Sequence, residues 1–265
     1  MESSFRWPVI HSRRFIYLRD LLSELLIREM RLRYERSALG LVWSIINPLS
    51  QMLIYTFLFR VVFRLDIKNY PAFVFTGTLV WNWFHNGLEM TTNAITNNRE
   101  LIRQPGFPLA VLPVSTVIIP LVDLLAALPV LFLFLIIGSK WPTSAVLVLP
   151  VLVVIQFIMT LGLGYILASS NVIFRDTQHL LRVFLNLLFF LTPIFYDSSM
   201  VPQSLQFFYR MNPMVHLVNA YRMILLEGTV PDWRPLLILC LFFSGVTWLG
   251  WTIFIRASHR FVEEL

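Results

Sequence analysis

Residues 114–138 read VSTVIIPLVDLLAALPVLFLFLIIG, twenty-five consecutive positions carrying a single charge, Asp123. A helix needs about 20 mostly apolar residues to cross the roughly 30 Å of a bilayer's hydrocarbon core. This stretch therefore reads as a transmembrane helix, and it sets the class of the whole protein. Four other stretches meet the same standard: 41–62, 72–92, 144–168 and 235–255. Val183–Tyr196 offers only 14 residues between Arg182 and Asp197, and it spans only by starting near His179 with Arg182 close to the interface. The expected fold is an all-α integral membrane protein with six transmembrane helices.

Composition agrees. The chain of 265 residues is 57% hydrophobic and 14% charged, with mean hydropathy +0.70, whereas soluble domains run about 45–50% apolar and about 25% charged. A soluble enzyme, a disordered chain and a disulfide scaffold are all excluded on that ground. Cys240 is the only cysteine, so there is no disulfide framework or cysteine-based metal cluster. The net charge of +6 would suggest nucleic acid in a soluble domain. In a membrane protein it reports topology and contact with anionic headgroups, and no nucleic-acid partner is expected.

Six spans put both termini on one side, and the basic residues choose it. The N-terminal segment holds Arg6, Arg13, Arg14, Arg19, Arg28, Arg31, Arg33 and Arg36. With Arg99, Arg103, Arg175, Arg182, Arg256 and Arg260 that side carries 14 basic residues, against 7 on the other (Arg60, Arg64, Lys68, Lys140, Arg210, Arg222, Arg234). Both termini are expected in the cytoplasm. The first 40 residues contain no long uncharged stretch, so the first span is expected to direct insertion itself.

Three segments are neither spans nor simple loops. Leu18–Arg36 places Leu18, Leu21, Leu22, Leu25 and Leu32 near helical spacing among charges, which predicts an amphipathic helix lying on the membrane surface within a cytoplasmic segment 1–40. The bland alternative is a solvated juxtamembrane helix. Between spans two and three, Asn97–Phe107 predicts a short helix broken at Pro105-Gly106, with Leu101, Ile102 and Phe107 exposed beside Arg99 and Arg103 as a docking surface or a plain connector. Between spans five and six, Pro202 opens one short helix, Asn212-Pro213 interrupts, and Met214–Glu227 makes a second ending at Gly228. Val215, Leu217, Val218, Ile224, Leu225 and Leu226 make that second helix too apolar for a free loop. Residues 197–228 therefore read as a re-entrant helical pair dipping back from the outer face, buried against protein.

Some chemistry is ruled out. Neither lysine, Lys68 nor Lys140, follows the glycine pattern of a phosphate-binding loop, so the chain is not its own ATPase. The five histidines are scattered and H-E-x-x-H is absent; no metal site is expected. Ionisable groups inside spans are functional candidates. Asp123 in span three reads as a proton relay or, more simply, a hydrogen bond to a neighbouring helix. His85 and Glu89 lie four residues apart on one face of span two and read as a pair. Trp43, Trp81, Trp83 and Phe84 cluster in spans one and two. Their rings suit an interfacial belt or a path offering flat faces to sugar C–H groups.

An ordered set of motifs carries a resemblance. Arg19-Asp20-Leu21, Arg28–Gly40 (REMRLRYERSALG), Trp43, Asn47-Pro48, Tyr70-Pro71, Gly77, Trp81, Leu101-Ile102-Arg103 and Phe107-Pro108 are followed by Leu112-Pro113, Asn171-Val172, Phe174-Arg175-Asp176, Thr192-Pro193-Ile194 and Asn212-Pro213. Together they resemble the membrane subunits of ABC polysaccharide exporters, which export O-antigen, capsule or teichoic acid. The resemblance implies six helices per subunit, a homodimer, and two ATP-binding partner subunits that hold the ATP and Mg. It also implies a lipid-linked polysaccharide substrate and the cell (inner) membrane as location. Glu100, Leu101, Ile102, Arg103 and Phe107 would then form the coupling helix in the ATPase groove, although Gln104-Pro105-Gly106 departs from the longer basic or aromatic stretch of many relatives. Leu39-Gly40 would match the loop entering the first span, and 197–228 the outer gate. Arg28, Arg31, Arg33 and Arg36 would meet the lipid diphosphate, lipid headgroups or the ATPase, since arginine forks suit phosphate oxygens. The chain reads as a transport subunit with no catalytic residue of its own. An exporter of a small lipid or drug, and a membrane-embedded glycan-modifying enzyme, are the competing readings; the second would need clustered carboxylates or histidines, which the sequence lacks.

Overall fold

The computed structural model describes residues 7–34, 40–138, 141 and 143–264, and all regular structure among them is helical. The chain divides after Gly40 into two compact units.

The described residues of the first unit form a helix, α1 (Trp7–Tyr34), which begins well before the expected start at Leu18. Pro8 sits in the first turn, where no N–H is needed, and neither Gly nor Pro follows until Gly40. Nothing in the sequence stops the helix from extending back to Trp7. Arg28, Arg31 and Arg33 are exposed near its end. Arg36 and Leu39 lie outside the described residues.

The second unit holds α2 (Trp43–Tyr55), prolonged by a π-helical segment Thr56–Val62, then α3 (Tyr70–Thr92) and a short α4 (Arg99–Ile102). It continues with α5 (Val111–Ile137), α6 (Leu149–Ile173) and α7 (Thr177–Leu191). A short α8 (Gln206–Met211), α9 (Pro213–Arg222) with a π-helical end Met223–Glu227, α10 (Trp233–Ser258) and α11 (Phe261–Glu264) complete it. Gly228 follows α9 at φ 72°, the left-handed position that commonly ends a helix.

Among the described residues, four helical stretches are long and apolar enough to cross a membrane: Trp43–Val62, Val111–Ile137, Ser144–Ile173 and Trp233–Ser258. Two of the six expected spans fall outside that standard, for different reasons. Helix α7 has 15 residues, because Pro193 stops it. Helix α3 has 23 residues but is more polar. It packs against α2, α5, α6, α7 and α9, and most of its surface is covered by protein. A helix surrounded by other helices tolerates hydroxyls if each finds an acceptor. The hydroxyls of Thr76, Thr78, Thr91 and Thr92 donate to the carbonyls of Ala72, Val74, Gly87 and Leu88 at 2.6–2.8 Å.

Candidate functional site

Where α7 ends, the backbone needs outside help. Thr192 is extended (φ −103°, ψ 138°), as the residue before a proline prefers, and the carbonyls of Pro193, Ile194 and Phe195 lie beyond the helix. Such groups must be paired when buried away from water. Arg222, at the end of α9, supplies the donors. Its Nη1 donates to Pro193 O at 2.5 Å, and its Nη2 to Ile194 O at 2.8 Å and Phe73 O at 3.1 Å. Its Nε adds a 3.3 Å bond to Phe73 O, and the guanidinium lies 3.4 Å from the centroid of the Phe73 ring. The Tyr70 hydroxyl donates to Phe195 O at 2.6 Å. Arg222 is 4% exposed.

The sequence around this clamp is shaped to it. A Cβ at position 77 would lie 2.8 Å from Arg222 Nη2 and 3.1 Å from Ile194 O, so Gly77 leaves room for the guanidinium. Asn212 caps α9 by accepting from the Met214 N–H at 3.0 Å, while its Nδ2 donates to Thr192 Oγ1 at 3.0 Å. Ser198 ties the same segment together through Asn219 Nδ2 at 2.9 Å and the Tyr209 hydroxyl at 3.2 Å. Burial pushes the Tyr209 hydroxyl above the usual phenol range, so it remains a neutral donor. By sequence alone Arg222 counts as an ordinary loop cation. It is instead a buried tie between α9, α3 and the end of α7. The available signal was an arginine among Val215, Leu217, Val218, Ile224 and Leu225.

The cluster is built to hold backbone in place, with no nucleophile-and-base pair. Among the described residues no group of His, Cys, Asp or Glu could hold a metal.

The intramembrane polar candidates separate. His85 and Glu89, expected to pair, do not: Glu89 Oε1 accepts from Arg182 Nη2 of α7 at 2.9 Å and from its Nε at 3.1 Å, while His85 Nδ1 lies 3.3 Å from Asn86 Oδ1. The Arg182 fork outcompetes a half-buried imidazole for the carboxylate. Charge reversal at either end, Glu89→Arg or Arg182→Glu, is expected to lower the thermal stability of the purified protein by about 1 kcal/mol, the scale of a partly exposed pair. The doubly reversed protein should recover most of that loss in the same melting experiment. Asp123 sits half-buried in the middle of α5.

Of the four aromatic residues, Trp43 is 45% exposed, whereas Trp81, Trp83 and Phe84 are buried. Trp83 donates its indole N–H to Val117 O at 3.1 Å, and Trp81 meets Phe84 and Phe189 edge-on. These three rings pack the bundle and have no open face in this conformation.

In the connection between α3 and α5, the expected exposure is reversed. Ile102 is buried and Leu101 and Phe107 are half-buried, while Glu100, Arg103, Gln104, Pro105 and Gly106 are exposed. The apolar side chains turn away from water while the charged and polar ones face it. The flanks of the connection are tied to α6: Asn171 Nδ2 donates to Thr92 O, at the end of α3, at 3.0 Å, and the Tyr165 hydroxyl donates to Ala110 O, just before α5, at 3.1 Å. Gly40, φ 47°, takes the left-handed conformation at the boundary between the two units.

The sequence model of the family described as "ABC-2 type transporter" matches residues 20–226. The chain is 38% identical over 249 residues to the O-antigen export system permease protein RfbA of Myxococcus xanthus, covering 93% of this chain and 96% of that protein. A Klebsiella pneumoniae protein of the same description is 32% identical over 252 residues, 94% and 96% of the two chains. The polysialic acid transport protein KpsM of Escherichia coli is 24% identical over 237 residues, 87% and 90% of the two chains.

Proposed function

Because this chain belongs to the ABC-2 type transporter family, we propose that it is the membrane-spanning permease subunit of an ATP-driven exporter of a lipid-linked cell-surface polysaccharide. The observation that carries this reading is the end-to-end likeness to O-antigen export permeases, which leaves little of either chain unmatched. In it, α2, α3, α5, α6, α7 and α10 cross the cell membrane with both termini cytoplasmic. Two copies pair with two separate ATP-binding subunits, which bind ATP and Mg. α1 lies at the cytoplasmic interface. Glu100, Leu101, Ile102, Arg103 and Phe107 form the coupling element, of which Glu100 and Arg103 offer exposed charge to the ATPase.

The ties from α6 to the end of α3 and to the residue before α5, which flank that element, support a lever role. A segment tied to the bundle transmits a push from the motor, whereas a loose loop would absorb it. Arg28, Arg31, Arg33 and Arg36 meet the lipid diphosphate or neighbouring headgroups, with Leu39 and Gly40 leading into the first span, and Trp43 lies at the cytoplasmic mouth of the path. The pair α8–α9 forms the outer gate, held by Arg222. ATP hydrolysis in the partner rocks the coupling elements and opens the central path, which is a gated conformational step and not bond chemistry in this chain.

Deletion of the gene together with that of its ATP-binding partner tests the reading. Surface polysaccharide should disappear while the lipid-linked polymer accumulates inside the cell, and re-expression of both genes should restore it. Unchanged surface polysaccharide in the deletion strain would overturn the assignment.

A further inference from the structure

We infer that one face of α2 and one face of α3 form a ladder of neutral hydrogen-bonding side chains that takes the hydroxyl groups of the exported polysaccharide as it crosses; this deepens the proposed function and rests on it. On α2, Trp43, Asn47 and Gln51 recur every four residues and so share one face. On α3, Asn82, His85 and Asn86 recur at three and four residues and share another. The two faces meet where Asn82 Nδ2 donates to Gln51 Oε1 at 3.2 Å. Trp43 and Asn47 are exposed, and the other four are half-buried.

Depth makes these residues informative. They lie inside helices read as membrane spans, where an amide facing lipid would be costly. Positions that do face outward on α10, such as Leu237, Ile238, Leu241 and Phe242, are apolar. The amide face therefore looks onto water or protein. Its hydrogen-bonding capacity is only partly used: the Gln51 and Asn86 amide N–H groups, the Asn82 carbonyl and the second ring nitrogen of His85 remain beyond the contacts described.

Intermixed donors and acceptors without net charge fit one ligand chemistry best. Each sugar hydroxyl both donates and accepts, so a glycan matches amides and imidazole along its length, and the exposed face of Trp43 suits its C–H surface. An acyl chain would ask for an apolar groove, and a phosphate for cations. Several weak sites in series also allow the chain to move on, because passage requires binding that is easily released.

Cysteine accessibility tests the ladder in the assembled complex. With Cys240→Ser removing the only cysteine, Asn47→Cys, Gln51→Cys and Asn86→Cys are exposed to a charged methanethiosulfonate reagent in membrane vesicles, with Leu241→Cys as the lipid-facing control. The three ladder cysteines should be modified and export blocked, while the control stays unmodified. Asn47→Leu, Gln51→Leu and Asn86→Leu should each slow export about fivefold, the scale of one lost hydrogen bond, and Asn86→Gln should retain it. Three unreactive cysteines would mean that a second copy of the chain or lipid seals this face, and would overturn the inference. Wild-type export rates in the leucine variants would overturn it as well. Both failures leave export by the unaltered complex intact; absence of that export would instead overturn the proposed function.

Discussion

Arg222→Met is expected to cost the protein more stability than any other single substitution in the bundle. Methionine fills much of the space of the arginine stem but brings no donor. The Pro193 and Ile194 carbonyls, which accept from Arg222 at 2.5 and 2.8 Å, would be left unpaired where neither water nor helix geometry can serve them. Each buried carbonyl so orphaned costs about 1–3 kcal/mol. A combined loss of about 3 kcal/mol corresponds to a fall of about 10 °C in melting temperature for a chain of this size. Arg222→Lys should fall between the two, because one ammonium cannot reach both carbonyls and Phe73 O as a planar fork does. Tyr70→Phe removes the single donor to Phe195 O and should cost less than either. Melting of the purified protein in detergent ranks the three. An Arg222→Met protein that melts with wild type would show that the clamp does not hold the end of α7.

The second large effect concerns α6 and α10, which pack backbone against backbone. A Cβ on Gly250 would lie 2.6 Å from Gly162 O, and one on Gly162 would lie 2.5 Å from Thr247 Oγ1 and 2.9 Å from its Cα and N. Thr247 cannot swing away freely, since its hydroxyl donates to Phe243 O at 2.7 Å and Ile158 O at 2.9 Å. Membrane helices depend on small residues for such close contact, because lipid supplies little hydrophobic force between them. Gly162→Ala and Gly250→Ala should each cost about 1–3 kcal/mol, the usual penalty of overpacking, and leucine at either site should separate the helices. Gly245, also in α10, has no heavy atom within 4 Å of its virtual Cβ. Gly245→Ala should therefore be neutral or stabilise by up to about 1 kcal/mol through helix propensity. Equal melting temperatures for Gly250→Ala and Gly245→Ala would contradict this packing.

These two features show what the sequence could and could not reveal. Apolar runs such as 114–138 and 235–255 announce their helices because both the lipid-facing and the protein-packed sides of such helices are apolar. The ends of α9 were also legible, since Asn212-Pro213 and Gly228 are local punctuation. The central place of α3 was not, because burial among other helices removes the need for uniform apolarity and so weakens the signal. The role of Arg222 is hidden for a related reason: sorting charge by loop assumes that a cation outside a span faces water. Trp81 and Trp83 are a case that sequence leaves open. An aromatic residue deep in a span suits a ligand path and a packed core equally; in this conformation both rings are buried, Trp83 donating to Val117 O and Trp81 meeting Phe84 and Phe189. The expected His85–Glu89 pair failed because helical spacing says nothing of a third partner, and Arg182 arrives from ninety-three residues away.

Transport by the reconstituted complex tests the proposed function most directly. The chain, purified with its ATP-binding partner and placed in liposomes, should move a lipid-linked polysaccharide across the bilayer when ATP and Mg are supplied, whereas the chain alone should hydrolyse no ATP and move nothing. Hydrolysis by the chain alone, or translocation that proceeds equally without the partner, would contradict the account.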